Sequence, residues 1–300
     1  MSLSINEFNV LRYLESHSNK SVTQRELAEK LDISLGTINS TIKSLDKRNC
    51  VKYDRNLILT VEGLKALEPY RVKRAVFLAA GFGSRMIPLT FNTPKPLIKV
   101  HGKPMIEYLL DACVKADIAE LYIVTGYLGE YFEVLKKKYP NVQLIYNELY
   151  NDANNISSAL KASDHLENAY VLESDLVLYN PDLIQKYEYH SCFLGKYVDR
   201  TDDWCFEVKN NIIIEEKVGG TNCYHMYGIS YYDEEDGKKL KRDIADVYSM
   251  PGGKEKYWEQ VPLVYRKKNY KIHIKPCLEG DIIEIDSFNE LKEVDNVYNI

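Results

Sequence analysis

The chain has no apolar run approaching the roughly 20 residues that a bilayer-spanning helix needs, and 28% of its residues are charged, which argues against a membrane protein. Its first residues, MSLSINEFNVLRYLESH, lack a basic stretch followed by an apolar one, so no secretory signal is expected and the protein is placed in the cytoplasm. Its six cysteines (Cys50, Cys113, Cys192, Cys205, Cys223, Cys277) form no C-x-x-C pair, which speaks for reduced, buried thiols rather than zinc ligands or a disulfide framework. The six histidines show neither triad nor metal spacing. Internal repeats and low-complexity tracts are also missing.

What is present is length, apolar material and an uneven charge. Three hundred residues, 45% of them hydrophobic, suffice for two domains with packed cores. The net charge of −5 divides unequally: residues 1–74 carry 13 basic and 9 acidic side chains (net +4), and the remainder carries 26 and 35 (net −9). A basic head on an acidic body suggests modules with different partners, although +4 is modest enough to be a solvated surface. A boundary near Pro69–Lys73 gives a first domain over 1–70 and a second over 71–300.

In the head, Ile5, Phe8, Leu11 and Leu14 recur at the spacing of an amphipathic helix. Thr23 with Glu26 has the pattern of a capping box and opens a second helix, TQRELAEKL. A turn at Asp32–Ser34 leads to a third helix over Leu35–Lys47, with Ile38, Ile42 and Leu45 inward. Two short β-like runs, Cys50–Asp54 and Leu57–Thr60, join at Arg55–Asn56. This order resembles a winged helix-turn-helix of the MarR type. The resemblance implies that the third helix enters a DNA major groove, with Ser34, Thr37, Asn39, Ser40 and Lys43 facing the bases and Arg55 at the wing tip. Winged helices also serve as protein–protein modules, and the long flanking helices by which MarR repressors dimerise are missing. Reading two half-sites requires a dimer, so a homodimer would have to form through other surfaces.

The body alternates strands and helices: a strand at Arg74–Leu78, a helix at Met105–Ala116, a strand at Leu121–Thr125, a helix at Gly129–Lys138, a strand at Val142–Tyr146, a helix at Asn155–His165 and a strand at Tyr170–Glu173. This spacing predicts an α/β fold, a Rossmann-like doubly wound and mostly parallel sheet that binds ligands at the carboxyl ends of its strands. Beyond Asp175 the pattern becomes irregular and β-rich.

The loop after the first strand carries the chemistry. In Gly81-Phe82-Gly83-Ser84-Arg85, two glycines allow close backbone approach to an anion, Ser84 adds a hydroxyl donor, and Arg85 offers a fork suited to phosphate oxygens. Lys95 follows ten residues on, behind a proline. Backbone donors with two cations suit a triphosphate. The loop is not a Rossmann fingerprint, because Met86 stands where the third glycine belongs, and no G-K-[ST] follows as in a Walker A loop.

Together L-A-A-G-x-G-S-R, N-T-P-K and G-K-P-M-I-E-Y resemble the nucleotidyltransferase superfamily, which includes sugar-phosphate nucleotidyltransferases and phosphocholine cytidylyltransferases. The likeness extends through V-T-G-Y at 124–127, Asn155-x-x-Ser158, L-E-S-D at 172–175 and E-I-D at 284–286, thus over about 74–292. It implies that Gly81, Gly83, Ser84 and Arg85 bind the triphosphate and that Lys95 neutralises charge on the α-phosphate and pyrophosphate. Ala79, Ala80, Gly126, Tyr127, Asn155 and Ser158 would surround base and ribose. Asp175 and Asp286 match the family's metal positions and would hold Mg²⁺, with Glu173 and Glu284 beside them; Asp286-Ser287 before FNELKEV also fits a helix cap.

The implied reaction is transfer of CMP from CTP, driven by positioning and electrostatics and with no catalytic histidine. For the acceptor, DDWCFEV (202–208) and Tyr257-Trp258-Glu259 resemble the phosphocholine branch, in which Trp204, Tyr257 and Trp258 with Asp203 and Glu259 would hold an ammonium group. LESDL at 172–176 resembles the 2-aminoethylphosphonate branch instead. Alternatives are a sugar-phosphate nucleotidyltransferase, or a DNA-binding regulator whose body senses a nucleotide or phosphonate.

Overall fold

The structure, a computed structural model, describes residues 2–18, 20–54 and 56–299. It divides into two compact units, Met1–Arg71 and Val72–Ile300.

In the first unit, helix α1 (Ile5–Ser16) opens on a reciprocal cap between Ser4 and Glu7. Helices α2 (Gln24–Lys30) and α3 (Leu35–Lys47) start at Thr23 and Ser34, whose hydroxyls accept from the backbone three residues on. Glu26 does not complete the box with Thr23; its carboxylate accepts from Tyr13 Oη at 2.9 Å. Strands β1 (Val51–Asp54) and β2 (Asn56–Leu59) pair antiparallel as the wing, and α4 (Val61–Leu67), capped by Thr60, follows. The periodic residues Phe8, Leu11, Leu14, Leu27, Ile38, Ile42 and Leu45 form the core. Ile5, in the first turn of α1, is 44% exposed and does not join them.

Glu7 ties α1 to the end of α3. Its carboxylate accepts from Ser4 N at 2.8 Å, Ser44 Oγ at 2.8 Å and Arg48 at 3.2 Å. Burial disfavours its charge, but the bonds from Ser4 and Ser44 and the Arg48 charge outweigh that and hold its pKa below the usual range.

The second unit is built on a sheet whose first strand, β3 (Arg74–Ala79), is almost wholly buried. A small hairpin of β4 (Lys99–Val100) and β5 (Lys103–Pro104) turns at His101 and Gly102, both at positive φ. After it come α5 (Met105–Lys115), β6 (Glu120–Thr125), β7 (Val142–Tyr146), α6 (Ile156–Lys161), β8 (Ala169–Glu173) and β9 (Leu176–Leu178). Two long strands, β10 (Cys192–Lys209) and β11 (Ile212–Tyr232), precede α7 (Glu234–Tyr248), β12 (His273–Cys277), β13 (Ile282–Glu284) and α8 (Phe288–Val294).

The sheet order is β10-β12-β11-β8-β3-β6-β7. Strands β8, β3, β6 and β7 are parallel; β11 adds antiparallel to β8. Alternate side chains of β3 face opposite layers. Ala75, Phe77 and Ala79 pack with Leu109, Leu110 and Cys113 of α5, while Val76 packs with Ile156 and Ala159 of α6 and Leu240 and Ile244 of α7. Helices therefore cover both faces, and the chain leaves β3 toward β6 on one side and later returns to β8 on the other. That change of direction opens a crevice beyond the carboxyl end of β3.

Two segments read as regular helices are irregular. Gly129–Lys137 is a 3₁₀ helix, and the segment beginning at Asn155 divides into α6 and a short 3₁₀ turn, Ser163–His165. No described helix is long and apolar enough to cross a membrane, and all six cysteines are buried free thiols.

Replacing Glu7 with Ala should destabilise the amino-terminal unit by about 2 kcal/mol, since Arg48 and two hydroxyls lose a shared buried partner. Because the folded pKa of Glu7 lies below its unfolded value, its stabilisation is present above the ordinary carboxylate range and fades as pH falls through the folded pKa. Amide exchange in α1 and α3, measured on the full chain from neutral to acidic pH, reads both effects.

Candidate active site

The crevice beyond β3 is a cavity of about 710 Å³. The glycine loop forms one rim. Gly83 has φ +61, and a Cβ there would stand 2.8 Å from Lys95 Cβ and 3.1 Å from Thr90 Cγ2, so only glycine allows the loop to lie on the lysine stem. Thr90 Oγ1 donates to Gly83 O at 3.0 Å, and Tyr127 Oη donates to Thr90 O at 2.9 Å. A Cβ on Gly81 would meet nothing within 4 Å, so that glycine faces open space.

Lys95 is 8% exposed, and its ammonium donates to Asp175 Oδ2 at 2.8 Å and Asp286 Oδ1 at 3.1 Å. Arg85, largely exposed, donates to the same Asp286 oxygen at 2.8 Å. The two aspartates meet because β9 and β13 form an antiparallel ribbon, Leu176 opposite Glu284, and Ile285 N donates to Asp175 O at 3.1 Å. Asp286 is not the cap of α8: Ser287 fills that role in a reciprocal box with Glu290, which leaves the Asp286 carboxylate to the cations.

Glu173 and Glu284 lie beside this bridge. One oxygen from each of Glu173, Asp175 and Glu284 can be chosen so that all lie within 4.8 Å of one another. Glu173 fits because its neighbour on β11 is Gly228, where a Cβ would fall 2.3 Å from the Glu173 carboxylate. Burial, then the charges of neighbouring carboxylates, pushes the pKa values of Glu173 and Glu284 well up. For Lys95 burial favours the neutral form, but Asp175 and Asp286 outweigh it and raise its pKa.

Asp203, Trp204, Tyr257 and Glu259 also reach the cavity wall. Trp204 and Tyr257 meet edge to face at 5.9 Å. Trp258 does not line the cavity: it is 1% exposed and packs against Phe193 and Tyr232. Asn155 accepts from Trp258 N at 2.9 Å and donates to Glu259 at 3.5 Å, so it fastens this segment. Ala79, Ala80, Ser84 and Ser158 line the wall, Ser158 accepting from Asn147 at 3.1 Å. Gly126 and Tyr127 stand behind it: Tyr127 N donates to Ala80 O at 3.1 Å, and a Cβ on Gly126 would strike Tyr150.

Sequence reasoning missed Tyr150, Asn154 and Gly228 on the wall. Gly228 carried a signal, since a glycine inside a strand often marks a close approach by another group. In the first unit, Ser34, Asn39, Ser40 and Lys43 are exposed on or before α3 and Thr37 is half-buried. Ser34 and Thr37 bond each other at 2.8 Å and Ser40 donates to Thr37 O, so these hydroxyls also serve the helix start. Arg55 lies outside the described residues.

This fold, with a glycine rim, two cations and facing carboxylates at the carboxyl end of β3, is that of the nucleotidyltransferase class. Residues 75–190 match the MobA-like NTP transferase domain family, and residues 1–56 match the MarR family. The chain is 38% identical over 228 residues to 2-aminoethylphosphonate cytidylyltransferase of Lancefieldella rimae, covering 75% of this chain and 92% of that protein. To choline-phosphate cytidylyltransferase of Streptococcus pneumoniae it is 30% identical over 231 residues, 75% of this chain and 97% of that one. The solved structure of the CTP:phosphocholine cytidylyltransferase from Streptococcus pneumoniae superposes with a TM-score of 0.70 at 29% identity, over 76% of this chain and 99% of that one. The chain belongs to the cytidylyltransferase family, with a MarR-type winged helix ahead of the catalytic body.

The two loop glycines separate packing from ligand contact. Gly81→Ala should leave the melting temperature unchanged, whereas Gly83→Ala should lower it by several degrees, because Lys95 and Thr90 must move and the φ is strained. Thermal melts of both variants alongside wild type check this.

Proposed function

We propose that the body transfers CMP from CTP to a small amino-bearing phosphonate or phosphate, 2-aminoethylphosphonate or phosphocholine, and releases pyrophosphate. The observation that carries this reading is the buried Lys95 bridging Asp175 and Asp286 beside the glycine rim. The similarity to cytidylyltransferases over three quarters of the chain supports it.

In this reading the backbone at Gly81 and Gly83, with Ser84 and the Arg85 fork, binds the triphosphate. Lys95 places its charge near the α-phosphate, where it offsets the repulsion between two anions and favours the departing pyrophosphate. An acceptor oxygen attacks the α-phosphorus in line, the new P–O bond forms, and the bond to the β-phosphate oxygen breaks. The attacking oxygen is already anionic near neutral pH, so no side chain need remove a proton. Base and ribose would lie along Ala79, Ala80, Asn155 and Ser158, and the acceptor's amino end near Asp203, Trp204, Tyr257 and Glu259.

The residues present fit a magnesium ion. The donors are all carboxylate oxygens, and buried Asp175 Oδ1 has no hydrogen-bond partner among the described residues. Asp175 and Asp286 would hold the ion, with Glu173 and Glu284 adjacent. Bound there, it would neutralise phosphate charge. Lys95 bonds both aspartates and Arg85 bonds Asp286.

Pyrophosphate release with Mg²⁺, each of four nucleoside triphosphates, and phosphocholine, 2-aminoethylphosphonate and hexose 1-phosphates tests the reading. Release should require CTP and an amino-bearing acceptor. It should fall about 100-fold or more in Asp175→Ala and in Lys95→Ala, and cease with a chelator. Failure to release pyrophosphate with any pair, from folded protein that binds CTP, would sink the enzyme reading.

We further propose that the first unit binds DNA, with Asn39, Ser40 and Lys43 of α3 offered to the major groove. The MarR-family match and the exposure of those residues support this. A mobility shift with the protein's own upstream DNA should appear at low salt, weaken as salt rises, and be lost in an Asn39→Ala, Lys43→Ala double variant. A shift unaffected by that variant would move the contact off α3.

A further inference from the structure

The glycine loop is held from behind by a residue that does not reach the cavity. Thr90 is 2% exposed and stands off the cavity wall. Its hydroxyl donates to Gly83 O at 3.0 Å, and Met86 N donates to the same oxygen at 2.9 Å. Thr90 is itself fixed. Tyr127 Oη donates to Thr90 O at 2.9 Å, while Tyr127 N donates to Ala80 O at 3.1 Å. One tyrosine thus grips the chain on both sides of the loop. Phe82, between the two glycines, sets its ring 4.9 Å from that of Tyr127 and 5.3 Å from that of Tyr150.

Met86 N alone satisfies the Gly83 carbonyl, so the second donor is not needed merely to pair that oxygen. It fixes a direction. Gly83 has φ +61 and no Cβ, and the backbone at a glycine turns more freely than at any other residue. The Gly83–Ser84 peptide is trans, and in a planar trans peptide the C=O and N–H point in opposite directions. Two donors on Gly83 O therefore set where the Ser84 N–H points. That N–H bonds no acceptor among the described residues, and Gly83 and Ser84 both line the cavity. An oriented backbone N–H at a glycine turn suits an anion.

Resting on the reading that this loop takes the triphosphate, we infer that Thr90 is a positioning residue, whose hydroxyl holds the Gly83–Ser84 peptide so that the Ser84 N–H is offered to a phosphate oxygen. Thr90 itself touches no substrate. Because the peptide is oriented before the nucleotide arrives, binding does not have to restrict it. The effect falls on the phosphates and not on the base or the acceptor, so CTP and inorganic tripolyphosphate should feel it alike.

Thr90→Val keeps the shape of the side chain and removes the hydroxyl, whereas Thr90→Ser keeps the hydroxyl and removes the methyl group. Calorimetry on the full-length protein with Mg²⁺ should show CTP and inorganic tripolyphosphate weakened by a common factor of about five in Thr90→Val, and bound as by wild type in Thr90→Ser. KM for the acceptor should not change. A second reading needs no variant: the amide proton resonance of Ser84 should move when tripolyphosphate is added to wild type, and it should move less in Thr90→Val. Unchanged affinity in a folded Thr90→Val protein overturns the inference. So do equal losses in the two variants, or a wild-type Ser84 amide that tripolyphosphate leaves in place. Wild type that binds neither CTP nor tripolyphosphate overturns it together with the transfer reading. Binding that follows this pattern without pyrophosphate release defeats the transfer reading alone, and normal transfer with an unaffected Thr90→Val defeats the inference alone.

Discussion

Lys95 holds its ammonium between Asp175 and Asp286, and the rest of the catalytic body is arranged around that contact. Four carboxylates lie at this end of the cavity, and in a poorly hydrated site their mutual repulsion is screened far less than in water. The lysine offsets it from below and Arg85 from the rim. The glycine loop lies directly on the Lys95 stem because Gly83 carries no Cβ. The ribbon of β9 and β13 exists at the right place to present one aspartate from each strand end. Loop, ribbon and cations thus depend on one buried ion-paired lysine.

The site is costly to maintain. Glu173, Glu284 and Glu259 are all held away from ionisation by burial. Two extensive apolar layers on either face of the sheet, one built on α5 and one on α6 and α7, offset that cost. The carboxylates of Asp175 and Asp286 face the fixed cations Lys95 and Arg85.

The winged-helix unit follows separate physics. Its stability comes from a small apolar core and from capping hydroxyls at Ser4, Thr23, Ser34 and Thr60, each satisfying a backbone N–H at a helix start. Those bonds leave Asn39 and Lys43 on α3 exposed. The same chain therefore joins a basic winged-helix unit to an acidic catalytic body, each with its own core.

Much of this was legible in sequence because it is local. Apolar periodicity located α3 and the buried strands β3, β6 and β8. The glycine loop with Arg85 and Lys95 marked one rim of the cavity beyond β3. Helix α4 and the irregular segment after Gly129 escaped, the first because it is short and the second because its pattern is amphipathic while its backbone is not α-helical. Side-chain direction was the larger gap. Tyr257, Trp258 and Glu259 are consecutive, yet two reach the cavity and the tryptophan between them enters the core. Ser287 rather than Asp286 caps α8, a choice of one residue that decides whether a carboxylate is spent on backbone or on Lys95. Sequence by itself determined the two modules, the strand and helix order and the glycine loop, because each is written in neighbouring residues. Only the tertiary structure decided which carboxylates meet and that Gly228 makes room for Glu173, because those follow from pairings between strands far apart in the chain.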